Sequence, residues 1–190
     1  MKKITIIAIA FLLIAGTSFA QEWTLDKTHS QVGFSVVHNT VNELGGTFGG
    51  VTAKFNATKE DFSDATIELS ADVNTINTGN EQRNNHLKSP DFFDAAQFGT
   101  LSFKSTSFKK VSGKNYKLAG DLTIHGVTKP VVLDVVYGGT IENPMTKKTT
   151  AGFKVTGSIK RADFNLNPKF PTNVVSDEVK LAINTEFIKA

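Results

Sequence analysis

The sequence predicts an all-β protein whose strands form an antiparallel sheet, either closed into a barrel or folded into a sandwich. Apolar and polar residues alternate with a period of two through much of the chain after residue 20, which is typical of strands with one buried face. The segments between them are short and contain almost no candidate crossover helices, which favours antiparallel pairing. About eight strands are predicted, and eight such strands can close into a barrel that removes sheet edges.

The first 20 residues are set apart from this sheet. Lys2 and Lys3 precede an uncharged apolar run over residues 4–15, and small residues follow as far as Ala20. This order is typical of a secretory signal, which we expect to be cleaved after Ala20. The run is shorter than the roughly 20 residues that span a bilayer. The sequence therefore predicts an exported protein, periplasmic in a bacterium with two membranes, with no integral membrane segment after signal removal.

Residues 21–190 have the length of one domain. The chain has no cysteine, which excludes disulfides, thiol catalysis and an acylated-cysteine anchor. Two of the 21 basic residues lie in the signal, so 19 remain against 18 acidic residues. This near-neutral balance argues against nucleic-acid binding, which usually needs a basic surface.

The predicted strands follow one another along the mature chain. In the first of them, Val32, Phe34 and Val36 share one face. The glycine-rich residues 45–50 are predicted as a flexible turn or a bulged strand end, and residues 125–130 as the turn of a hairpin. The alternating segments cover residues 31–38, 51–56, 67–73, 116–124, 131–137, 153–159 and 179–187.

One segment predicts a short helix instead. Residues 80–88 are polar, lack β-branched side chains and end before Ser89 and Pro90, where proline disfavours a helical residue in front of it. Residues 91–97 are predicted to add a further turn. Within the helix, Arg83 and His86 are three residues apart and share a face, so they could meet an anionic head group together or pair locally at the surface.

The composition indicates a large apolar interior. The chain has 15 Phe against two Tyr and one Trp, and phenylalanine brings apolar area without a polar group. An eight-stranded barrel either fills with side chains or holds one small ligand, and composition leaves both alternatives open. The four histidines form no close pair, and nucleophile-elbow, phosphate-loop and metalloprotease motifs are absent. We therefore expect no metal, no cofactor and no enzymatic activity.

Several blocks of sequence resemble the YceI-like family of bacterial exported proteins. The mature chain opens with Trp23, Leu25, Asp26, His29 and Ser30, similar to the family's W-x-[IL]-D-x-x-H-S start. Further blocks match in order: Arg83, His86, Leu87, Ser89, Asp91, Phe92, Phe93 and Asp94; Phe103 and Ser105; residues 120–131 from Gly120 to Val131; Arg161, Asp163 and Phe164; Asp177, Val179 and Leu181. The chain departs from the family pattern at Asn84, where Asp is usual, at Asn165, where Gly is usual, and at residues 97–99, which often carry Tyr-Pro.

The resemblance implies a lipocalin-like, eight-stranded antiparallel barrel that binds a polyisoprenoid or an isoprenoid quinone for transport or storage. It also allows a homodimer. Strand parity then predicts the residues that line the interior: Phe34, Val36, Phe55, Leu69, Phe103, Leu122, Ile124, Val135, Phe153 and Leu181. Polar candidates for the head group at the rim are His29, Arg83, His86 and Arg161.

Two alternatives to a lipid carrier stay open. The cluster of Arg83 and His86 allows an enzyme that acts on an isoprenoid in the same barrel. A core filled by its own phenylalanines would instead make the protein a ligand-free interaction module in a stress response.

Overall fold

The structure is a computed structural model and describes residues 21–190. The predicted signal, residues 1–20, lies outside the described residues, so its cleavage stays a prediction. The described part contains nine strands, one α-helix and a 3-10 turn over Arg161–Phe164. The strands are β1 Gln21–Leu25, β2 Gln31–His38, β3 Asn42–Ala57, β4 Thr66–Asn77, β5 Thr100–Ser112, β6 Asn115–Ile124, β7 Val127–Glu142, β8 Thr149–Lys160 and β9 Glu178–Lys189, and the helix is α1 Glu81–Lys88.

Eight of these strands close into an antiparallel barrel. Around the barrel the order is β3, β2, β9, β8, β7, β6, β5 and β4, and β4 pairs with β3 to close the circle. β1 adds no ninth position: it pairs with residues 54–57 of β3, whereas β2 pairs with residues 42–48 of the same strand. The predicted eight-stranded antiparallel barrel is confirmed, and the sandwich alternative is wrong.

The inward faces follow the predicted alternation. In β6, Tyr116, Leu118 and Leu122 are buried, whereas Lys117 and Asp121 between them are exposed. Burying a leucine of this kind stabilises the fold by roughly 1.5–3 kcal/mol. The hydrophobic effect therefore selects the register of each strand, because a slip of one residue would expose the whole apolar face.

The glycine-rich residues 45–50 form part of a strand. β3 passes through them without a break, and its register against β4 shifts on both sides of Gly49. The bulged-strand alternative is therefore correct and the turn alternative is wrong. β5 also has a bulge, between Ser105 and Ser107, which moves the inward face from Phe103 to Phe108 and breaks the alternation that would have revealed this strand.

Two tight hairpins determine where strands end at one end of the barrel. Residues 39–41 join β2 to β3, and the first two of them, Asn39 and Thr40, have φ of 48° and 61°. His125 and Gly126 join β6 to β7 with φ of 51° and 71°. Two consecutive left-handed residues match the right-handed twist of paired strands, so the first loop needs only three residues and the second only two. The predicted turn over 125–130 is therefore too long, and residues 127–130 belong to β7.

Aromatic rings close the opposite end of the barrel, which we call the closed end. Phe62, in the connection from β3 to β4, is 3% exposed and lies at the centre of this group. Its ring centroid is 5.3 Å from Trp23, 5.3 Å from Phe153 and 5.4 Å from Tyr137. Edge-on contacts at these distances are favourable for aromatic pairs. The rings thus stop the barrel interior from opening to solvent beside β1.

The other end, which we call the open end, carries α1 and the segment over residues 165–177. Asn80 caps α1, because its Oδ1 accepts a hydrogen bond from the backbone N–H of Arg83 at 2.9 Å. The helix ends before Ser89, in agreement with the prediction over 80–88. Within residues 21–190, no helix has the length and apolar character to cross a bilayer.

Candidate ligand cavity

The barrel encloses an apolar cavity of about 430 Å³. This volume lies within the range of about 300–1,000 Å³ that is usual for small-molecule sites. Inward side chains of the barrel strands form most of the wall, and α1 and residues 165–177 complete it at the open end. The interior is therefore not filled by the protein's own side chains. The polar side chains that reach the cavity are His38, Thr78, Arg83, His86, Arg161 and Thr185.

All ten residues chosen by strand parity lie on the cavity wall: Phe34, Val36, Phe55, Leu69, Phe103, Leu122, Ile124, Val135, Phe153 and Leu181. They differ in depth. Phe55 and Val135 are each 2% exposed, whereas Phe34 and Val36 are only partly buried. Contact of any of them with a ligand stays a prediction, and the deepest residues also belong to the hydrophobic core.

Two glycines give aromatic side chains room on this wall. A Cβ on Gly46 would lie 2.5 Å from Cζ of Phe34, and one on Gly120 would lie 2.5 Å from the backbone oxygen of Lys104 and also against the ring of Phe103. Carbon atoms do not approach so closely without repacking. The missing side chains let both rings lie against the strands.

Arg83 lies at the open end, on the face of α1 that reaches the cavity. Its Nε donates to Oγ1 of Thr78 at 2.8 Å, and its Nη2 donates to the backbone oxygen of Thr78 at 2.6 Å. Thr78 in turn donates its N–H and its hydroxyl to Oδ1 of Asn84, at 2.9 and 2.7 Å. This network holds the partly buried guanidinium in one position beside the cavity.

Two histidines also reach the open end. Nε2 of His86 lies 3.3 Å from Oδ2 of Asp91, and both side chains are largely exposed. The His86 ring also meets Phe92 edge-on, with 5.1 Å between centroids. His38 lines the cavity from the end of β2. These positions give the open end several hydrogen-bonding groups beside an otherwise apolar wall.

Arg161 lines the cavity too, but its guanidinium is occupied. The residue is 3% exposed, and its side chain donates hydrogen bonds to five backbone carbonyls, those of Leu166, Asn167, Phe170, Val175 and Ser176. A guanidinium offers five N–H donors, so this cage leaves little capacity for a ligand. Arg161 therefore fastens the segment over 165–177 across the open end, a structural role that its prediction as a head-group residue did not include.

His29 lies away from the cavity wall. Its Nδ1 is 2.9 Å from Oδ2 of Asp26, and its side chain is 63% exposed. The hydrogen bond with Asp26 raises the pKa of His29 above its ordinary value, and the same bond lowers the pKa of Asp26. The D-x-x-H spacing therefore places His29 beside Asp26 in the loop after β1, where Asp26 also accepts a hydrogen bond from the backbone N–H of Thr28. We therefore remove His29 from the set of rim residues.

Together with Glu186 of β9, the same loop forms the group of side chains in residues 21–190 that could hold a cation. One ligand atom each from Asp26, His29 and Glu186 lie within 4.8 Å of one another. The hydrogen bond between His29 and Asp26 explains two of these positions without an ion. The prediction of no metal is unchanged by this arrangement.

The alternation of apolar and polar residues in the sequence did not predict the part of the cavity wall that lies outside the strands. Leu87, Phe92, Phe93, Phe170 and Val174 all line the cavity from α1, the following turn or the 165–177 segment. Such residues have no period-2 pattern. Their only signal is the presence of aromatic rings in otherwise polar segments, such as Phe92 and Phe93 between two aspartates.

Comparison with known proteins identifies the family. A profile of the YceI-like domain matches residues 23–187. The chain belongs to the YceI-like domain family. Protein YceI of Salmonella newport is 33% identical over 182 residues, covering 95% of this chain and 93% of that protein. The resemblance stated from the sequence is thereby confirmed.

Solved structures agree with this YceI-like assignment. A YceI protein of Campylobacter jejuni has a TM-score of 0.73 and 32% identity, covering 88% of this chain and 97% of that one. A polyisoprenoid-binding domain from Saccharophagus degradans has a TM-score of 0.63 and 17% identity, covering 88% of this chain and 98% of that one. At such low identity the second similarity shows the shared fold.

The departures from the YceI-like pattern have local explanations. Asn165 has φ of 55°, and asparagine is one of the few residues besides glycine that adopt this left-handed conformation readily. Phe98 packs edge-on against His125, with 4.7 Å between ring centroids. Asn84 keeps the acceptor oxygen that Thr78 needs but carries no charge. The fold therefore accommodates all three changes.

Proposed function

We propose that this YceI-like protein is exported to the periplasm, where it binds a long apolar lipid, a polyisoprenoid or an isoprenoid quinone, for transport or storage. The observation that carries the proposal is the apolar cavity of about 430 Å³ inside a barrel whose one end is closed by aromatic rings. A chain would enter at the open end and extend toward Phe62 and Phe153. Its polar end would then lie near Arg83 and His86.

Hydrophobic transfer would supply most of the binding free energy. At about 0.8 kcal/mol per buried CH₂-sized group, one five-carbon isoprene unit contributes roughly 4 kcal/mol before costs are counted. Association costs an estimated 4–15 kcal/mol or more, so a few buried units are enough for stable binding. The related domain from Saccharophagus degradans is described as polyisoprenoid-binding, which favours this ligand class here.

Export and a carrier role are supported from the sequence. Residues 1–20 have the order of a secretory signal, with two lysines, an apolar run and small residues. Among the residues that the structure describes, the cavity wall has no nucleophile-base pair of the usual catalytic kinds, and the polar groups at the open end suit recognition of a head group. We therefore favour binding over catalysis.

The test is to look for the ligand in the protein as a cell makes it. The full chain is expressed with its own signal in a bacterium with two membranes, and the periplasmic protein is purified without detergent. Native and denaturing mass spectra are then compared for a bound small molecule. A released mass with isoprene spacing supports the proposal, and an empty protein that also refuses added prenyl lipids contradicts it.

Val36 and Val37 provide a matched pair of variants for this experiment. They are neighbours in β2 with identical side chains, and both are partly buried, but only Val36 lines the cavity. We expect Val36→Asp to reduce copurified lipid severely, since it places a charge on the apolar wall. Val37→Asp should retain the lipid. Equal retention by both variants would show that the lipid is bound elsewhere.

A further inference from the structure

The closed end of the barrel carries a concentration of positive charge. Two hairpins lie there, residues 109–114 at the turn from β5 to β6 and residues 141–148 at the turn from β7 to β8, and we call them together the cationic rim. The cationic rim contains five lysines and one glutamate, a net charge of +4. The other residues of 21–190 include 14 basic and 17 acidic side chains. The near-neutral total of the described chain therefore conceals an uneven distribution of charge.

The two hairpins of the cationic rim are held side by side. The backbone N–H of Tyr137 donates to the backbone oxygen of Lys114 at 2.8 Å, and Nζ of Lys114 donates to the backbone oxygen of Gly138 at 3.0 Å. Nζ of Lys110 lies 3.9 Å from Oδ2 of Asp61, in the connection from β3 to β4 at the closed end. Lysines that are far apart in the sequence therefore belong to one surface.

The charge of this surface is available to an external anion. All five lysines of the cationic rim are exposed. Two of them take part in ion pairs of 3.9 Å with exposed carboxylates, and surface pairs of this kind neutralise little charge. The other three, Lys109, Lys114 and Lys148, form no ion pair within residues 21–190. The cationic rim thus offers several unshared ammonium groups on one side of the molecule.

Exposed apolar side chains lie in the same two hairpins. Met145 is 91% exposed, and Val111 and Ile141 are each 62% exposed. Met145 belongs to an ordered turn, because Oδ1 of Asn143 accepts the backbone N–H of Met145 at 2.9 Å and that of Thr146 at 3.1 Å. Large apolar side chains that are exposed together often mark a surface for interaction. The cationic rim therefore combines positive charge with apolar groups held in solvent.

This combination is complementary to the surface of an anionic bilayer. Each lysine near such a surface raises the affinity by about fivefold. Apolar side chains add to the binding when they enter the boundary between head groups and acyl chains. A nucleic acid would attract the same lysines but has no apolar layer for Met145 to enter.

We propose that the cationic rim docks this protein on the anionic phospholipid surface of a membrane. The lysines bind lipid phosphates, while Met145, Val111 and Ile141 enter the head-group region. This docking does not depend on what the cavity holds. Because the cationic rim lies at the closed end, an attached barrel has its open end directed away from the bilayer.

The test is sedimentation of the protein with vesicles. Protein purified from the periplasm without detergent is mixed with vesicles of phosphatidylcholine alone or with roughly 30% phosphatidylglycerol, at low and at high salt. The rim variants are the double change Lys109→Gln with Lys148→Gln, and Met145→Ser.

The open end supplies a matched control for each rim variant. Lys129→Gln with Lys169→Gln removes the same charge from two exposed lysines. Val41→Ser removes an apolar side chain that is 85% exposed in the hairpin from β2 to β3.

We expect the unchanged protein to bind the anionic vesicles at least about tenfold more tightly than the neutral ones, with high salt reducing this difference. The double lysine change in the cationic rim should lower the affinity for anionic vesicles by about tenfold to thirtyfold, and Met145→Ser should lower it several-fold. Both open-end controls should bind as the unchanged protein does.

Three results would overturn the inference. Absence of binding to anionic vesicles at low salt would make the cationic rim an ordinary solvated surface. Equal losses in the two double lysine variants would assign the binding to net charge and not to this surface. Full competition by soluble polyglutamate, with no effect of Met145→Ser, would assign the cationic rim to an acidic polymer. The cavity is tested separately by copurified lipid, so its function stands or fails independently of these results.

Discussion

Replacing Arg161 by methionine tests whether this buried cation holds the open end together. Methionine has a similar length and is apolar, so it keeps most of the packing and removes the charge and all donors. The side chain donates to the carbonyls of Leu166, Phe170, Val175 and Ser176 at 2.6 to 3.3 Å and also to that of Asn167. Arg161→Met would leave these oxygens without their donor.

The magnitude follows from how these oxygens can be compensated. A buried acceptor left without a partner costs about 1–3 kcal/mol. The segment over 165–177 is partly exposed, so water can reach some of the five carbonyls after a small displacement. We expect about two of the five carbonyl oxygens to remain out of reach of water. Arg161→Met should therefore lower the free energy of unfolding by about 3–5 kcal/mol, similar to breaking a buried ion pair.

Urea unfolding followed by circular dichroism measures this loss. At 2–4 °C per kcal/mol, roughly the scale for a domain of this size, the midpoint of thermal unfolding should fall by about 6–20 °C. Arg161→Lys should recover only part of the loss, because one ammonium cannot reach acceptors spread around a planar guanidinium. Lys160→Met, at the exposed neighbour, is the control. A loss below about 1 kcal/mol in Arg161→Met, with reduced lipid binding, would refute the structural role and restore Arg161 as a head-group residue.

Three further predictions concern the closed end, the Asp26 loop and the cavity wall. Phe62→Ala should lower the free energy of unfolding by about 3–5 kcal/mol, because it leaves a hole among the aromatic rings, and it should speed lipid release measured by stopped-flow fluorescence. In NMR titrations the pKa of His29 should lie above its ordinary value and return to it in Asp26→Asn, since the hydrogen bond that His29 donates to Asp26 raises this pKa. Gly120→Ala should destabilise the fold by about 1–3 kcal/mol in urea unfolding, because its Cβ would meet the ring of Phe103.

Each of these predictions has a result that contradicts it. Unchanged lipid release in Phe62→Ala would mean that the ligand does not use the closed end as a stop. A His29 pKa that does not move in Asp26→Asn would place its cause elsewhere. A Gly120→Ala variant as stable as the unchanged protein would mean that the ring of Phe103 can move into the cavity.

The pH dependence of the Asp26 loop has a defined sign. Because folding raises the pKa of His29, its stabilising contribution is complete below the unfolded value of about 6.5 and is lost as the pH rises through the folded pKa. Because folding lowers the pKa of Asp26, its contribution is present above about 3.9 and is lost as the pH falls through the folded pKa. Their pairing therefore stabilises the loop mainly between these limits, and modestly, since exposed pairs contribute little.

Sequence reasoning located the strands that alternate without interruption and missed those that do not. β6 and β9 were recognisable because each keeps one face inward along its length. In β5 the bulge between Ser105 and Ser107 interrupts the alternation of apolar and polar residues, and β1 is only five residues long. The helix was predictable because Asn80 and Pro90 bound a polar run, and both act through local backbone chemistry.

The candidate site shows the same division between local and long-range information. Strand parity placed ten residues on the cavity wall, because the direction of a strand side chain depends only on its position along the strand. Strand parity does not apply to loops, so it did not predict that Phe170 and Val174 line the cavity. It also could not separate Arg83, whose guanidinium donates to Thr78 alone among residues 21–190, from Arg161, whose donors are used by a segment that the chain brings back across the open end.

The sequence by itself determined the antiparallel β architecture, the family and the short polar helix, because alternation, motif order and helix stops are local properties of the chain. Only the tertiary structure decided that the barrel keeps an apolar cavity, that aromatic rings close one end, and that Arg161 binds the backbone carbonyls of the segment at the other end while Arg83 lines the cavity. These features depend on which side chains meet across the barrel, and residues such as Trp23 and Phe153, or Arg161 and Phe170, come together through closure of the sheet and the return of a loop.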